Sequence, residues 1–288
     1  MLEHQNPNKP SRVVIIGAGG FVGGAIVRQL GSDGVAVVPL TRREVDLLTD
    51  DAVAKLKGLL RPGDSVVMVS AIAPAKAVPV LMQNLRMVEA ACAALSEAEI
   101  AHLLYVSSDA VYADDAHPVT ERSHLEPSTI HGMMHAAREL MLRSTSQAPV
   151  AMLRPTLLYG GADPHNGYGP NRFRRQAARG EPILIFGEGE ERRDHVFIDD
   201  VAKLASLVLC HRSAGALNVA TGVSTSFSHI ANMVMEQFPG SVVKSLPREG
   251  PRPHLLHRHF DITECIKAFP MFHYTQLEEG LALSKNGV

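Results

Sequence analysis

The most restrictive feature of the sequence is a glycine-rich turn near its start, Gly17-Ala18-Gly19-Gly20-Phe21-Val22-Gly23. An apolar run at 12–17 precedes it and predicts a strand covered on both faces, and a helical pattern follows from Phe21 to Leu30. Glycine permits the tight turn and the close approach of backbone N–H groups to a pyrophosphate at a helix start. In this strand–turn–helix context the motif predicts a dinucleotide site that includes Gly17, Gly20, Phe21, Val22 and Gly23.

The same alternation continues through the first half of the chain. Further strands are predicted at 35–40, 65–71, 102–107 and 150–154, with helices at 51–60, 80–95 and 130–144. Alternating strands and helices form right-handed βαβ units, so the predicted fold class is α/β, a doubly wound parallel sheet of the Rossmann type.

The pattern loosens after Arg154, which predicts a second, smaller lobe. Residues 160–172 are rich in Gly, Pro, Asn and Asp, and this composition indicates a loop over a cleft. We predict an NAD(P)-binding Rossmann domain from residues 11–160 and 192–222. The substrate-binding lobe would comprise 161–191 and 223–288.

Charge and cysteine content exclude several other classes of protein. The chain has 28 Lys plus Arg against 30 Asp plus Glu, so no basic surface for nucleic acid or an anionic membrane is expected. Cys92, Cys210 and Cys265 show neither metal-ligand nor disulfide spacing, which is typical of a reducing compartment. No apolar run approaches the roughly 20 residues of a membrane-spanning helix. We expect a cytoplasmic protein with no nucleic-acid or membrane partner.

The end of the second predicted strand bears on the choice of cofactor. NAD sites usually place a carboxylate there for the ribose 2′-hydroxyl, but this strand ends in Thr41-Arg42-Arg43, with no acid before Glu44. A guanidinium suits a 2′-phosphate, which favours NADP over NAD. Residues at the end of the next strand complete the predicted cofactor site: Ser70, Ala71 and Ile72.

An ordered series of motifs resembles the extended short-chain dehydrogenase/reductase family, in its nucleotide-sugar epimerase/dehydratase/reductase branch. The glycines have GxxGxxG spacing, and the later matches are Ser107–Tyr112, Arg154-Pro155 to Tyr159-Gly160, Phe186-Gly187 to Asp200, and Asn218–Gly222. The resemblance implies that Asp46 and Leu47 lie near the adenine. It also implies a nucleotide-sugar-like substrate contacted by Arg193, Asn171 and Arg172, and a homodimer.

The family's proton-transfer pair, a Tyr and a Lys four residues apart, has no match in this chain. Alignment on Pro127, Gly132 and Glu139 puts His131 in the Tyr place and His135 in the Lys place, while Ser108 keeps the place of the polarising hydroxyl. His131 could be the acid/base, because imidazole titrates near neutrality. A protonated His135 would then lower the pKa of His131 and donate to a ribose hydroxyl.

Two other interpretations of this pair stay open. The site could have lost redox chemistry and keep the dinucleotide as a structural or sensed ligand. Histidines at i and i+4 could also bind a metal, but no third ligand is visible nearby, so none is predicted. His254, His257 and His259 are predicted to form a polar loop over the substrate lobe.

The leading hypothesis is an NAD(P)-dependent epimerase, dehydratase or reductase acting on a nucleotide-activated sugar or related polar metabolite. Its atypical site would use Ser108, His131 and His135. The rival is a catalytically inactive NAD(P)-binding regulatory or sensor protein of the same fold.

Overall fold

The computed structural model describes residues 2–5, 7–248 and 257–285. The strands in chain order are β1 (Leu2–Glu3), β2 (Arg12–Ile16), β3 (Ala36–Leu40), β4 (Ser65–Met68), β5 (His102–Val106), β6 (Val150–Pro155), β7 (Leu157–Tyr159), β8 (Ile183–Phe186), β9 (Arg192–Phe197), β10 (Ala214–Val219), β11 (Ser224–Ser226) and β12 (Val243–Leu246). The helices are α1 (Phe21–Ser32), α2 (Ala52–Leu59), α3 (Val78–Leu95), α4 (Ile130–Thr145), α5 (Pro170–Ala178), α6 (Ile198–Cys210), α7 (Phe227–Gln237), α8 (Thr263–Ala268) and α9 (Leu277–Leu283).

Within the described ranges the main sheet has seven strands in the order β3-β2-β4-β5-β6-β10-β1. Neighbouring strands are parallel except at the edge, where β1 runs antiparallel to β10. The predicted α/β fold with a doubly wound parallel sheet is therefore confirmed.

Helices cover both faces of this sheet, and the apolar runs of the strands require that cover. Val13 and Ile15 of β2 face a core shared with α1 and α6, whereas Val14 and Ile16 face a second core with α2, α3 and α4. All four side chains are at most 2% exposed, as expected of a strand buried on both faces. Sequence pattern and packing agree here.

The strand order places a crevice beside the glycine turn. β2 lies between β3 and β4, so the chain leaves β2 toward one side of the sheet for β3 and later returns on the other side. Ligands of open α/β sheets bind at such a switch point, outside the carboxyl ends of the strands.

Smaller sheets lie outside the main one and bear on the predicted division into lobes. β9 pairs in parallel with β7 and antiparallel with β11, while β8 pairs with β12. The β7–β9–β11 sheet takes strands from both predicted lobes, and the buried side chains of Cys265 and Phe269 belong to the core around α1 and α6. The boundaries at 160, 191 and 222 stay a prediction.

The predicted loop at 160–172 is wrong at its end, because α5 begins at Pro170. Proline is favoured in the first helical turn, where its missing N–H removes no intrahelical hydrogen bond. In the described part of the chain, no helix has the length and apolar character needed to cross a bilayer.

A buried ion pair fixes α4 against β6. Arg154 donates to both carboxylate oxygens of Glu139, at 2.9 Å from Nε and 2.6 Å from Nη2, and each side chain is at most 4% exposed. The remaining donor of Arg154, Nη1, bonds the hydroxyl of Tyr112 at 2.8 Å. Glu139, one of the three anchor residues of the alignment, therefore has a structural role.

We expect Glu139→Gln to lower the free energy of unfolding by roughly 3–5 kcal/mol, because it leaves the Arg154 guanidinium buried without its countercharge. Denaturant unfolding followed by circular dichroism measures this. The matched control is Asp51→Asn, which breaks the exposed pair with Lys55 and should change stability little. Equal effects of the two variants would contradict the role assigned to Glu139.

Candidate active site

A cavity of about 690 Å³ lies at the carboxyl ends of β2, β3 and β4. Its lining includes ten of the thirteen residues predicted to bind the cofactor: Gly17, Gly20, Thr41, Arg42, Arg43, Asp46, Leu47, Ser70, Ala71 and Ile72. Phe21, Val22 and Gly23 are not among the lining residues and lie in the first turn of α1. Three strand ends far apart in sequence thus meet in one crevice.

The glycines of the turn meet different steric demands. Gly17 has φ +102°, and a Cβ there would lie 2.5 Å from the backbone nitrogen of Ser70. A Cβ on Gly23 would collide with the carbonyl oxygen of Gly17, whereas one on Gly20 would meet only that oxygen, at 3.4 Å. Gly17 and Gly23 are therefore required for packing, and Gly20 leaves open the space that a close-bound pyrophosphate needs. The cavity fits the phosphates of a dinucleotide.

The acidic residues after β3 are engaged within their own turn. The Glu44 carboxylate accepts from the Thr41 backbone N–H at 2.8 Å and its hydroxyl at 2.6 Å, and these hydrogen bonds lower the Glu44 pKa. Asp46 accepts from the backbone N–H of Leu48, which lowers its pKa, and from Arg42 Nε at 2.9 Å. Arg42 and Arg43 are exposed at the rim of the cavity.

The first turn of α4 lies directly against the segment that carries Ser108. Thr129 caps the helix by accepting from the backbone N–H of Gly132 at 3.1 Å. A Cβ on Gly132 would collide with the carbonyl oxygen of Ala110, so only glycine allows this approach. Ser108 and His131 therefore belong to adjoining turns. The Ser108 hydroxyl accepts from Ala110 N at 3.1 Å and donates to Asp109 Oδ1 at 3.4 Å.

His135 is buried, and burial disfavours the charge that was expected for it. Burial lowers its pKa well below the usual value, and the neighbouring His131 and Arg138 lower it further. Its Nδ1 lies 2.7 Å from the hydroxyl of Tyr105, whose pKa burial raises to about 12. A hydroxyl that only accepted here would leave its own hydrogen unpaired in the interior. Tyr105 therefore donates, and the His135 proton lies on Nε2.

His131 is half-buried at the second position of α4, with its ring 4.7 Å from that of His135. Its Nδ1 accepts from the backbone N–H of Ala75 at 3.4 Å, so a neutral His131 carries its proton on Nε2. Burial lowers the pKa of His131, and the charge of His165 lowers it further. The electrostatic influence of His165 indicates that the loop before α5 lies near this histidine.

The predicted substrate contacts differ in their surroundings. Asn171 is buried, and its amide accepts from Gly160 N at 3.0 Å and donates to Leu158 O at 3.1 Å. Arg172 follows it on α5 with a half-buried side chain. Arg193 pairs with Glu191 at 2.5 Å; burial lowers its pKa, while the charges of Glu191 and Asp109 raise it. Arg193 thus lies near the Ser108–Asp109 turn.

The histidines after residue 250 form no metal centre in the part of the chain described. The backbone of His257 forms an isolated β-bridge with Arg192, and the His259 ring lies 5.0 Å from the ring of His117. His254 lies outside the described residues. No group of three His, Cys, Asp or Glu side chains in the described ranges is placed to hold a metal ion.

Sequence reasoning missed Tyr105, His165 and Arg138. Tyr105 resembles any other residue of a buried strand, and His165 lies in a loop without a motif. Arg138 could have been found, because His131, His135 and Arg138 are spaced i, i+4, i+7 and so share one face of the helix.

Comparison with known proteins assigns the family. The model of the NAD dependent epimerase/dehydratase family matches residues 13–220. The chain belongs to this family. An NAD(P) cofactor follows from this membership.

The relatives of this family member are distant. A putative UDP-glucose 4-epimerase of Methanocaldococcus jannaschii is 28% identical over 53% of this chain and 52% of its own length. The ADP-L-glycero-D-manno-heptose-6-epimerase of Alkalilimnicola ehrlichii is 24% identical over 82% and 83%, respectively. The chain thus spans about half of the first relative's length and most of the second's.

Among solved structures, a GDP-L-fucose synthetase of Naegleria fowleri bound to NADP shares the fold, with a TM-score of 0.83 at 14% identity. The superposition covers 99% of this chain and 94% of that one.

We expect Gly20→Val to weaken dinucleotide binding at least about a hundredfold while the protein stays folded, because its Cβ has room but the branched side chain fills the phosphate space. Titration calorimetry with NADP⁺ and NAD⁺ measures this. Gly31→Val on the same helix is the control, since a Cβ there meets nothing within 4 Å. If folded Gly20→Val binds the dinucleotide as tightly as the wild type, the pyrophosphate does not bind at this turn.

Proposed function

We propose that this protein is an NAD(P)-dependent enzyme that epimerises, dehydrates or reduces a nucleotide-activated sugar or a related polar metabolite at a histidine-based site. The observation that carries the proposal is the position of His131. His131 lies in the helical turn beside Ser108. Its Nδ1 accepts a hydrogen bond from the backbone N–H of Ala75, which belongs to the segment that continues from the cofactor cavity. The names of the relatives support this class of substrate.

His131 would act as a neutral imidazole. Its place in the first turn of α4 adds to burial in disfavouring the cation, because the helix N-terminus is the positive end of the helix dipole. With Nδ1 occupied by Ala75, the Nε2–H is the group available to donate a hydrogen bond to a substrate oxygen on which charge develops. The Ser108 hydroxyl would hold the same oxygen. His135 would hold His131 in place without touching the substrate.

The cofactor residues would be those that line the cavity, with the pyrophosphate at Gly20 and the adenosine beside Asp46 and Leu47. The nicotinamide, when bound, supplies hydride transfer. NADP is favoured over NAD because the Glu44 and Asp46 carboxylates are engaged by Thr41, Leu48 and Arg42.

For the substrate, we propose contacts to Arg193 and Arg172, with Asn171 holding the strand end that precedes them.

A homodimer through the outer faces of α3 and α4 is supported by three exposed apolar side chains, Met82, Met133 and Leu140. We propose a cytoplasmic location from the charge balance and the scattered cysteines.

One observation favours a second candidate, a non-catalytic protein that binds the dinucleotide as a sensed or structural ligand. The family's Lys is replaced by His135, which is neutral and engaged by Tyr105, so no cation stands at that place. Catalytic oxidation or reduction of the nicotinamide in the presence of any sugar nucleotide excludes this candidate.

We expect the double variant Arg42→Ala/Arg43→Ala to weaken NADP⁺ binding by about tenfold or more and to leave NAD⁺ binding nearly unchanged, because only NADP⁺ carries the 2′-phosphate. Calorimetric titration with both cofactors decides this. Arg61→Ala, also an exposed arginine, is the control. If the double variant keeps the wild-type affinity for NADP⁺, the preference for NADP has another origin.

We expect His131→Phe to reduce kcat by about 10²–10³ and to keep dinucleotide affinity, the usual scale for losing a hydrogen-bond donor to a developing oxyanion. Burial lowers the His131 pKa, so wild-type activity should be full above pH about 6.5. It should fall as the pH drops through that lower pKa, because protonation of Nδ1 sets two N–H donors against each other at Ala75 and displaces the ring.

His131→Gln is the matched variant, because its amide keeps a hydrogen-bond donor but cannot titrate. It should retain more activity than His131→Phe and lose the acid limb. The measurement is nicotinamide absorbance with a panel of sugar nucleotides between pH 4 and 9. Full turnover by His131→Phe would refute the role of His131.

A further inference from the structure

Arg138 is a fully buried cation in the middle of α4. Its side chain is 0% exposed, and no carboxylate lies within ion-pair distance of it in the described ranges. The adjacent Glu139 is already engaged by two nitrogens of Arg154. A buried guanidinium without a countercharge lowers stability, so its presence calls for another role.

The donors of Arg138 reach the turn that follows β4. Nη2 donates to the carbonyl oxygen of Ser70 at 2.5 Å, and Nη1 donates to Asn84 Oδ1 at 3.3 Å. The same Asn84 amide accepts from the backbone N–H of Ile72 and donates to its carbonyl, each at 3.0 Å. Arg138 and Asn84 together therefore fix both ends of the Ser70–Ile72 turn, which lines the cofactor cavity.

The chain that continues from this turn returns to the same helix. At Ala75 its backbone N–H bonds Nδ1 of His131. His131, His135 and Arg138 share one face of α4, so the segment from Ser70 to Ala75 is tied to that face at both of its ends. A shift of the turn in the cofactor cavity would be transmitted along five residues to the imidazole.

We propose that Arg138 is a positioning residue that holds the Ser70–Ile72 turn in its dinucleotide-binding conformation and thereby couples the cofactor cavity to His131. Arg138 is fully buried and is not among the residues that line the cofactor cavity. Its positive charge also acts on the histidine beside it: together with burial and His131, it keeps His135 neutral and so keeps the hydrogen bond from Tyr105 intact. The groups that face His135 are Tyr105, His131 and Arg138.

This inference rests on the proposed dinucleotide site, and the experiment separates the two. The variants are Arg138→Met, which keeps the stem and removes charge and donors, Arg138→Lys, which keeps the charge without the fork, and Arg143→Met, an exposed control on the same helix. NADP⁺ and NAD⁺ affinities are measured by calorimetry, stability by thermal unfolding, and the His135 pKa by nitrogen-15 NMR of labelled imidazoles.

We expect Arg138→Met to bind the dinucleotide about tenfold more weakly, about 1.4 kcal/mol, with Arg138→Lys in between and Arg143→Met like wild type. The Tm of Arg138→Met should be unchanged or higher, because an unpaired buried charge is removed. The His135 pKa should rise in this variant alone.

Three results would overturn a part of this account. If folded Arg138→Met binds NADP⁺ and NAD⁺ as tightly as the wild type, the positioning role is refuted. Binding by the wild-type protein shows in that case that the proposed dinucleotide site is still correct. A Tm that falls in step with affinity makes Arg138 a structural residue only, and this also refutes the proposal. Wild-type protein that binds neither dinucleotide refutes the proposed function itself.

Discussion

The polar side of α4 that faces the protein interior determines how the sheet, the cofactor cavity and the candidate site are arranged. His135, Arg138 and Glu139 are each less than 7% exposed, and buried polar groups require hydrogen-bond partners. Those partners come from different strands: Tyr105 of β5, Ser70 after β4 and Arg154 of β6. The helix can therefore be displaced only by breaking several buried contacts together.

This arrangement also decides the charge state of the candidate site. On the proposed alignment, His131 and His135 would take the places of the family's Tyr–Lys pair; burial lowers the pKa of both imidazoles, and adjacent charges add to that effect. The positive charge now lies at Arg138, one turn further along the helix and directed at backbone oxygen and an amide. A site of this kind offers hydrogen-bond donors of fixed direction in place of an easily ionised phenol.

The cavity beside the glycine turn could be predicted because it depends on local backbone geometry. Gly17 and Gly23 are required where a strand, a turn and a helix must pack within a few ångströms, and this requirement leaves a short, regular spacing in the sequence. The histidine half could be located only by aligning Pro127, Gly132 and Glu139, two of which prove structural: Gly132 by its approach to Ala110, and Glu139 by its pair with Arg154. Neither residue could indicate that His135 is neutral.

The sequence by itself determined the order of strands and helices between residues 12 and 154, the parallel sheet and the position of the glycine turn, because apolar periodicity and glycine spacing are properties of neighbouring residues. Only the tertiary structure decided which polar groups are partners. Tyr105 and His135 are 30 residues apart, and Ser70 and Arg138 are 68 apart. Hydrogen-bond direction and desolvation act through space, so the protonation states of the histidines and the role of Arg138 depend on contacts that no local pattern records.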